Sequence, residues 1–566
     1  MPNRNSLLAL VVTALLLPVA SFAGASKISE DIKKADKQKL IDVIVVYKAK
    51  VVQADRDKFG FKGAIMKGSF DHVRSMAYQI KPKDLDDLES DPKVLYVSRV
   101  RPMKAHMLPI AQQTTGAYIA PTYGLTGAGI GVAVIDSGVT LHPDLKQANC
   151  TGSRIVYSES FVPGDISTDD TYGHGTHIAS IIAGNGLCSG TSSNLAKMTG
   201  IAPSANIINF RVLNSFGAGT DAAVIAAINR AIALKSTYNI RIINLSLGRP
   251  IRESYTVDPL TQAVESAVNA GILVVSSAGN SGRNTLNNLN GYGSLTSPGN
   301  HPLALTVGAM NMKASNSRSD DVITSFSGKG PSALDHIVKP DMVAPGNAIG
   351  AANITGSVLA TVFSGKIVTS SYPTAKYISL SGTSMAAPMV AGAAALVLQQ
   401  SSSLTPGQVK ARLMRTASKS FPSPTTYTVI GASVPLVCYY DPFTVGAGYL
   451  DILGALNDNS TSTNGALSPA IVQSGSNVNL TNAPSATTAH QVNWATAGAT
   501  LYGSLNVSSN QLLGTTGKAW GDPSVSGNSV LWGDSVLWGD SVLWGDSVLW
   551  GDSVLWGDAI ELGDPQ

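Results

Sequence analysis

Three short phrases carry an acid, a base and a hydroxyl nucleophile: Val134-Ile135-Asp136-Ser137-Gly138, His174-Gly175-Thr176-His177 and Gly382-Thr383-Ser384-Met385-Ala386-Ala387-Pro388. A serine hydroxyl is a poor nucleophile near neutral pH. It needs an imidazole to take its proton and a carboxylate to hold that imidazole in the useful tautomer. Asp136, His174 and Ser384 are the residue types for covalent acyl transfer, and Asn280, in Ser276 to Gly282, is a candidate donor to the oxyanion. Alone, each has a plainer reading: a turn former, a capping or core histidine, an N-cap. Their joint order and flanks carry the chemistry. His177 does not make a zinc pair with His174, because no His-Glu-x-x-His occurs, and no Gly-x-Ser-x-Gly elbow surrounds Ser384.

The elements that must position these groups follow from apolar patterning. Ile130 to Ile135 is an unbroken apolar run, as in a strand buried on both faces, and Asp136 stands at its carboxyl end, where open α/β sheets bind ligands. His174 opens a segment to Ala183 whose Ile178, Ile181 and Ile182 fit a buried helix face. Ser384 opens an Ala-rich helical segment to Leu398, which sets its N–H at the positive helix end, with Pro388 near the first turn. Further strands are expected over 206–213, 240–245, 271–275 and 304–309. Helices are expected over 221–234, 259–270 and a stretch ending near Ala417, with Asp258-Pro259 and Thr405-Pro406 as N-terminal signals. This alternation implies a parallel sheet covered on both faces.

The order Asp, His, Ser with these flanking residues resembles the subtilisin family of serine peptidases over roughly residues 106 to 455, the phrase around Ser384 being the most specific part. The resemblance implies an α/β fold with a doubly wound, mostly parallel sheet. It also implies an endopeptidase acting through an acyl-enzyme on Ser384, with Asn280 and the Ser384 N–H at the oxyanion and no cofactor for the chemistry. Asn244 to Gly248 resembles the family's substrate-pairing strand, making Ser246, Leu247 and Gly248 substrate-binding; Gly217 and Gly219 resemble the opposing edge, and Ala278, Gly279 and Gly299 the walls of the primary pocket. Small residues there lead to an expected open slot for large apolar side chains before the scissile bond. Arg249 departs from the small residue common in the family; it is either a solvated surface residue or one that narrows the rim. The stretch 347–380 is longer than in compact members and reads as an inserted surface excursion. Asp144, in His142-Pro143-Asp144-Leu145, matches a position that often helps bind structural calcium, although the loop from Asn185 to Thr199 departs, leaving a solvated turn as the other reading.

Five regions are expected: a signal peptide over 1–23, a small α/β propeptide over 27–105, the peptidase over 106–455, a Ser/Thr/Asn-rich linker or weak β module over 456–528, and a repeat tail over 529–564. Arg4, the apolar run Leu7 to Ala20 and Ser21-Phe22-Ala23 fit a secretory signal and are too short for a membrane span, so a secreted protein is expected. The segment 27–105 resembles the family's inhibitory propeptide, with strands at 41–47, 76–80 and 94–100, a short helix at 82–88, and self-cleavage between Lys104 and Gln112. The tail holds five copies of Ser-Val-Leu-Trp-Gly-Asp and five of the seven tryptophans, a sixth being Trp520 in a related Trp-Gly-Asp just before it. It is either a disordered tandem expansion or a tryptophan ladder suited to a surface or polymer. Of Cys150, Cys188 and Cys438, the first two are the expected disulfide. A net charge of +3 argues against nucleic acid, leaving protein or peptide substrates and the chain's own propeptide as partners. The alternative is a surface adhesion protein with an inactive peptidase domain and a functional tail.

Overall fold

The computed structural model describes most of residues 27–483 and short pieces at 507–508 and 511–512; among the larger stretches outside it are 1–26, 50–63, 106–111, 189–197, 369–376, 428–435, 459–466 and 513–566. The signal segment and the repeat tail therefore lie outside the described residues, as does most of the linker.

The N-terminal unit is a four-stranded sheet of β1 (Ile41–Tyr47), β2 (Ile65–Phe70), β3 (Ser75–Ile80) and β4 (Val94–Arg99), in the order β2-β3-β1-β4. Strand side chains alternate between faces. On β1, Val43, Val45 and Tyr47 join the unit's own core, whereas Ile44 and Val46 join the main core of the molecule. That is why this strand reads as continuously apolar. Strand β2 is additional to those expected, and a 3-10 turn over Pro82–Asp84 opens the segment expected as a helix.

A short strand, β5 (Pro102–Ala105), leads out of this unit. The main body follows with β6 (Gly131–Asp136), β7 (Ile155–Ser160), α1 (His174–Ala183), β8 (Asn206–Arg211), β9 (Ala218–Thr220), α2 (Asp221–Tyr238), β10 (Ile240–Leu245) and β11 (Leu247–Pro250). It continues with α3 (Pro259–Asn269), β12 (Leu273–Ser277), β13 (Thr296–Ser297), β14 (Leu305–Asn311), β15 (Val322–Ile323) and β16 (Met342–Pro345). After them come β17 (Ile349–Ala352), β18 (Tyr377–Leu380), α4 (Thr383–Gln400) and α5 (Pro406–Thr416). The central sheet has the order β15-β14-β12-β10-β6-β8-β7, with β16 also beside β14, and every pair except β14–β15 is parallel. A mixed α/β fold with a mostly parallel sheet results. Strand β6 is buried at every position because elements cover both faces. Helix α4 is buried from Thr383 to Leu398 and packs on β10, β12, β14 and β16; its low amphipathicity in sequence is that of a helix surrounded by protein.

The structure corrects two sequence expectations. The stretch 347–380 is no surface excursion at its two ends: Ile349, Ala351, Leu359, Ile378 and Leu380 lie in the main core, and β17 pairs with β18. Likewise the packed body does not stop at 455. Leu467, Ala470 and Ile471 join the same core, and the Ser468 N–H donates to the Pro302 carbonyl. Cys150 and Cys188 are bonded, with Cα atoms 5.3 Å apart, and Cys438 is a buried thiol outside the disulfide.

Candidate active site

Asp136 ends β6 and His174 opens α1, with β7 between them in the chain, so the two must be drawn together by packing of the Asp-Ser-Gly turn against the helix start. Glycine makes this possible: a Cβ on Gly175 would lie 2.1 Å from the Gly138 carbonyl oxygen, so the helix start rests directly on the Asp-Ser-Gly turn. Asp170, fully buried, fastens both sides. Its Oδ1 accepts from the Ser137 hydroxyl at 2.8 Å and the Gly173 N–H at 2.7 Å, and its Oδ2 accepts from the Thr176 N–H at 2.7 Å. Ser137 Oγ in turn accepts from the Gly175 N–H at 2.9 Å. Burial raises the Asp170 carboxyl above its ordinary range, opposed by these donors. Asp170 and Ser137 were not singled out in the sequence, where nothing marks an aspartate before a histidine motif as an organiser. With this frame in place, His174 Nδ1 is 2.7 Å from Asp136 Oδ1, both groups buried.

The third group comes from α4, which packs against α1. Ser384 sits in the first turn, and its hydroxyl donates to the Ser246 carbonyl at 3.3 Å. Pro388 is deeper in the helix than expected, and its position has a consequence. Lacking an N–H, it cannot bond the Ser384 carbonyl four residues back, and that carbonyl accepts the Ser246 hydroxyl at 2.6 Å instead. Helix α4 and the segment before β11 are thereby locked together at Ser384. Asn280 Oδ1 accepts from the Thr383 N–H at 2.7 Å and from Thr383 Oγ1 at 3.1 Å, which leaves its amide NH₂ as the donor end. Thr383 also receives the Gly279 N–H at 3.0 Å, so the Asn280 loop is fixed against the start of α4.

Strand β11 carries Leu247 and Gly248, and β9 carries Gly219; Gly217 lies just before β9. Between them runs β5, antiparallel to both: Leu247 pairs with Ala105, Gly248 with Lys104, Lys104 with Ala218, and Met103 with Gly219. A segment of the chain's own N-terminal part thus lies as a strand where a peptide would pair. The small residues nearby have another explanation than an open slot. A Cβ on Gly248 would meet Thr296 Oγ1 at 2.6 Å, one on Gly279 would meet Thr296 Cγ2 at 2.9 Å, and one on Gly299 would meet the Ser277 carbonyl at 3.0 Å. Their size reflects close packing of the wall itself. Ala278 is buried in a small apolar cluster with Ile251, Leu295 and Ala333. Arg249 is not solvated; it is 3% exposed and surrounded by carboxylates.

Among the described residues no calcium site is shown at Asp144, and residues 189–197 of the loop that would complete one lie outside them. The Asp144 carboxylate accepts from the Tyr377 hydroxyl, and the oxygens around it belong to an arginine. Arg154 donates to the carbonyls of Lys146 at 2.9 Å, Ala205 at 3.0 Å, Asp144 at 2.6 Å and Ala183. Burial lowers this guanidinium to about 10, opposed by Asp144, so it remains a cation at neutral pH. A carbonyl cage already filled by a fixed cation does not fit a calcium ion. Among the described residues no group of three His, Cys, Asp or Glu gathers that could hold a metal. His177 is a buried helix residue whose Nε2 faces the Ile378 carbonyl at 3.2 Å, and burial depresses it to about 3.

Comparison with known proteins places the chain among serine peptidases. The model of the Subtilase family matches residues 127–433. An alkaline protease of Shouchella clausii is 35% identical over 352 residues, 62% of this chain and 75% of its own. Serine protease AprX of Bacillus subtilis is 35% identical over 366 residues, 63% of this chain and 77% of its own, and subtilisin E of the same organism is 30% identical over 422 residues, covering 74% and 95%.

Proposed function

Because the chain belongs to the subtilase family and is a serine endopeptidase, we propose that Ser384 is its nucleophile, His174 its general base and acid, and Asp136 the group that orients His174. The carrying observation is the buried 2.7 Å contact between Asp136 and His174 on a helix packed against the one that begins with Ser384. With Nδ1 bound to Asp136, the imidazole presents its basic lone pair at Nε2. The Ser384 hydroxyl leaves the Ser246 carbonyl, gives its proton to His174 and attacks the substrate carbonyl. Asn280 and the Ser384 N–H hold the resulting oxyanion. His174 then protonates the leaving amine, and water repeats the sequence on the acyl-enzyme.

The substrate pairs with β11 and β9 in the manner of β5, backbone to backbone, which gives affinity with little demand on sequence. The flanks of the primary pocket, Leu247, Gly248, Ala278, Gly279 and Gly299, carry no charge, so the residue before the scissile bond is apolar; a peptide panel in which charged residues win there overturns this specificity. The N-terminal unit acts as propeptide and inhibitor. Ala105 pairs one residue short of Ser246, and Gln112 already packs in the body through Gly200, so self-cleavage falls just past Ala105, within Lys104 to Gln112. The leader over 1–23 directs export, and the tryptophan repeats hold the enzyme to a surface or polymer.

Intact mass after treatment with a fluorophosphonate serine probe tests the assignment. One adduct on the wild type, absent from Ser384→Ala, is expected. No adduct on folded protein freed of residues 27–105 would overturn it.

A further inference from the structure

Arg249 follows the two residues that pair with β5, yet its guanidinium points into a buried set of carboxylates. Nε lies 3.0 and 3.1 Å from the two oxygens of Asp221, and Nη2 lies 2.8 Å from each oxygen of Asp258. Nη1 is 4.0 Å from Glu253. Burial works against the charge, but these three carboxylates outweigh it and hold the guanidinium above its ordinary value. Each partner belongs to a different wall. Asp221 is the first residue of α2, immediately after β9. Asp258 caps α3 and also accepts from the Ser297 hydroxyl at 3.0 Å, in the strand that pairs with Arg249 on the other side. Glu253 accepts from the Ser98 hydroxyl of β4 at 3.3 Å.

The two edges of the cleft are thus separate pieces of chain, β9 and β11, with a strand's width between them and no direct ladder to join them. The ion pair from Arg249 Nε to the two oxygens of Asp221 spans that gap. The register of β5, carried one residue beyond Lys104, sets Met103 opposite Arg249, and Met103 pairs with Gly219 on the far side. We propose that Arg249 is a positioning residue that fixes the width of the substrate slot, tying β11 to the β9–α2 corner so that peptides extending to the Met103 position are gripped between two fixed edges. The proposal rests on the peptidase reading above. Substrates too short to reach that position gain nothing from the bridge, so the effect is one of substrate length. A planar fork that meets two carboxylates at once is what an arginine supplies and a lysine does not.

The test compares a blocked hexapeptide amide with a blocked single-residue ester carrying the same residue before the scissile bond, using the mature enzyme. In Arg249→Ala the ratio of kcat/KM for hexapeptide over ester is expected to fall tenfold or more, mainly through KM, while Ser384 still takes up the fluorophosphonate. An unchanged ratio, including an equal loss on both substrates, overturns the proposal. Asp221→Asn, which weakens only the link to α2 and leaves Arg249 paired with Asp258 and Glu253, is expected to lower the ratio in the same sense, and it carries the test should the alanine variant fail to fold. A wild type that neither labels nor cleaves either substrate would instead sink the peptidase reading itself.

Discussion

Asn280 and Arg154 show how differently two polar residues can serve one site. The Asn280 oxygen is spent on Thr383, so its contribution to turnover is made by the amide NH₂. Asn280→Ala is expected to lower kcat about 10²- to 10³-fold with KM nearly unchanged, read by steady-state kinetics on a peptide; an undiminished kcat would remove Asn280 from the mechanism. Arg154 is a fixed cation where a bound one was expected. Chelation with EDTA is therefore expected to leave the Tm and activity of the protein unchanged, measured by calorimetry and peptide hydrolysis. Arg154→Ala takes a donor from four backbone carbonyls, of which those of Asp144 and Lys146 keep Asn185, and is expected to be destabilising, since each buried acceptor left without a donor costs about 1–3 kcal/mol.

Helix α1 gives the clearest prediction at the level of elements. His177 stays neutral because it is buried, with a pKa lowered from 6.5 to about 3. Between those values the unfolded chain binds a proton that the folded chain refuses, so stability is full above pH 6.5 and falls as the pH drops toward 3. The slope is at most about 1.4 kcal/mol per pH unit. Denaturant melts across this range should show a shallower acid limb in His177→Gln than in the wild type; equal slopes would show that His177 does not set it. The inserted segment acts on the same helix from outside. Val358 and Leu359 donate their N–H groups to the carbonyls of Thr171 and Tyr172, just before His174, and Leu359 is fully buried. Leu359→Ala should cost about 2–5 kcal/mol in unfolding free energy.

The whole molecule is closed by a contact beyond the catalytic resemblance. Ser468 joins a buried cluster in which Asp341 lies 2.7 Å from Lys339 and 3.0 Å from Lys410, while Lys410 donates to Ser468 at 2.7 Å. A chain ending after residue 483 is expected to keep the Tm and peptidase activity of the full protein. One ending at 455 should lose stability, because Lys410 and Asp341 then each lose Ser468 as a buried hydrogen-bond partner. Equal melting of the two truncations would show that residues 456–483 are not part of the folded body.

The proposed site residues Asp136, His174, Asn280 and Ser384 stand out in sequence because each lies in a local phrase whose conformation is set by neighbours: a turn after a strand, or the first turn of a helix. The buried strands were legible for the same reason, since a parallel strand covered on both faces must be apolar at every position. Arg249, Arg154, Asp170 and Ser468 were not, nor was the packing of residues 347–380. An arginine in a sequence is most simply a solvated charge, and what makes it structural is a set of acceptors from remote parts of the chain. Asp221 lies 28 residues from Arg249, and the Ala205 carbonyl lies 51 residues from Arg154. The sequence determined the family phrases on which the proposed chemistry rests and the strands that carry them; the tertiary structure alone decided which charges are buried, because burial and pairing depend on segments that meet only when the chain has folded.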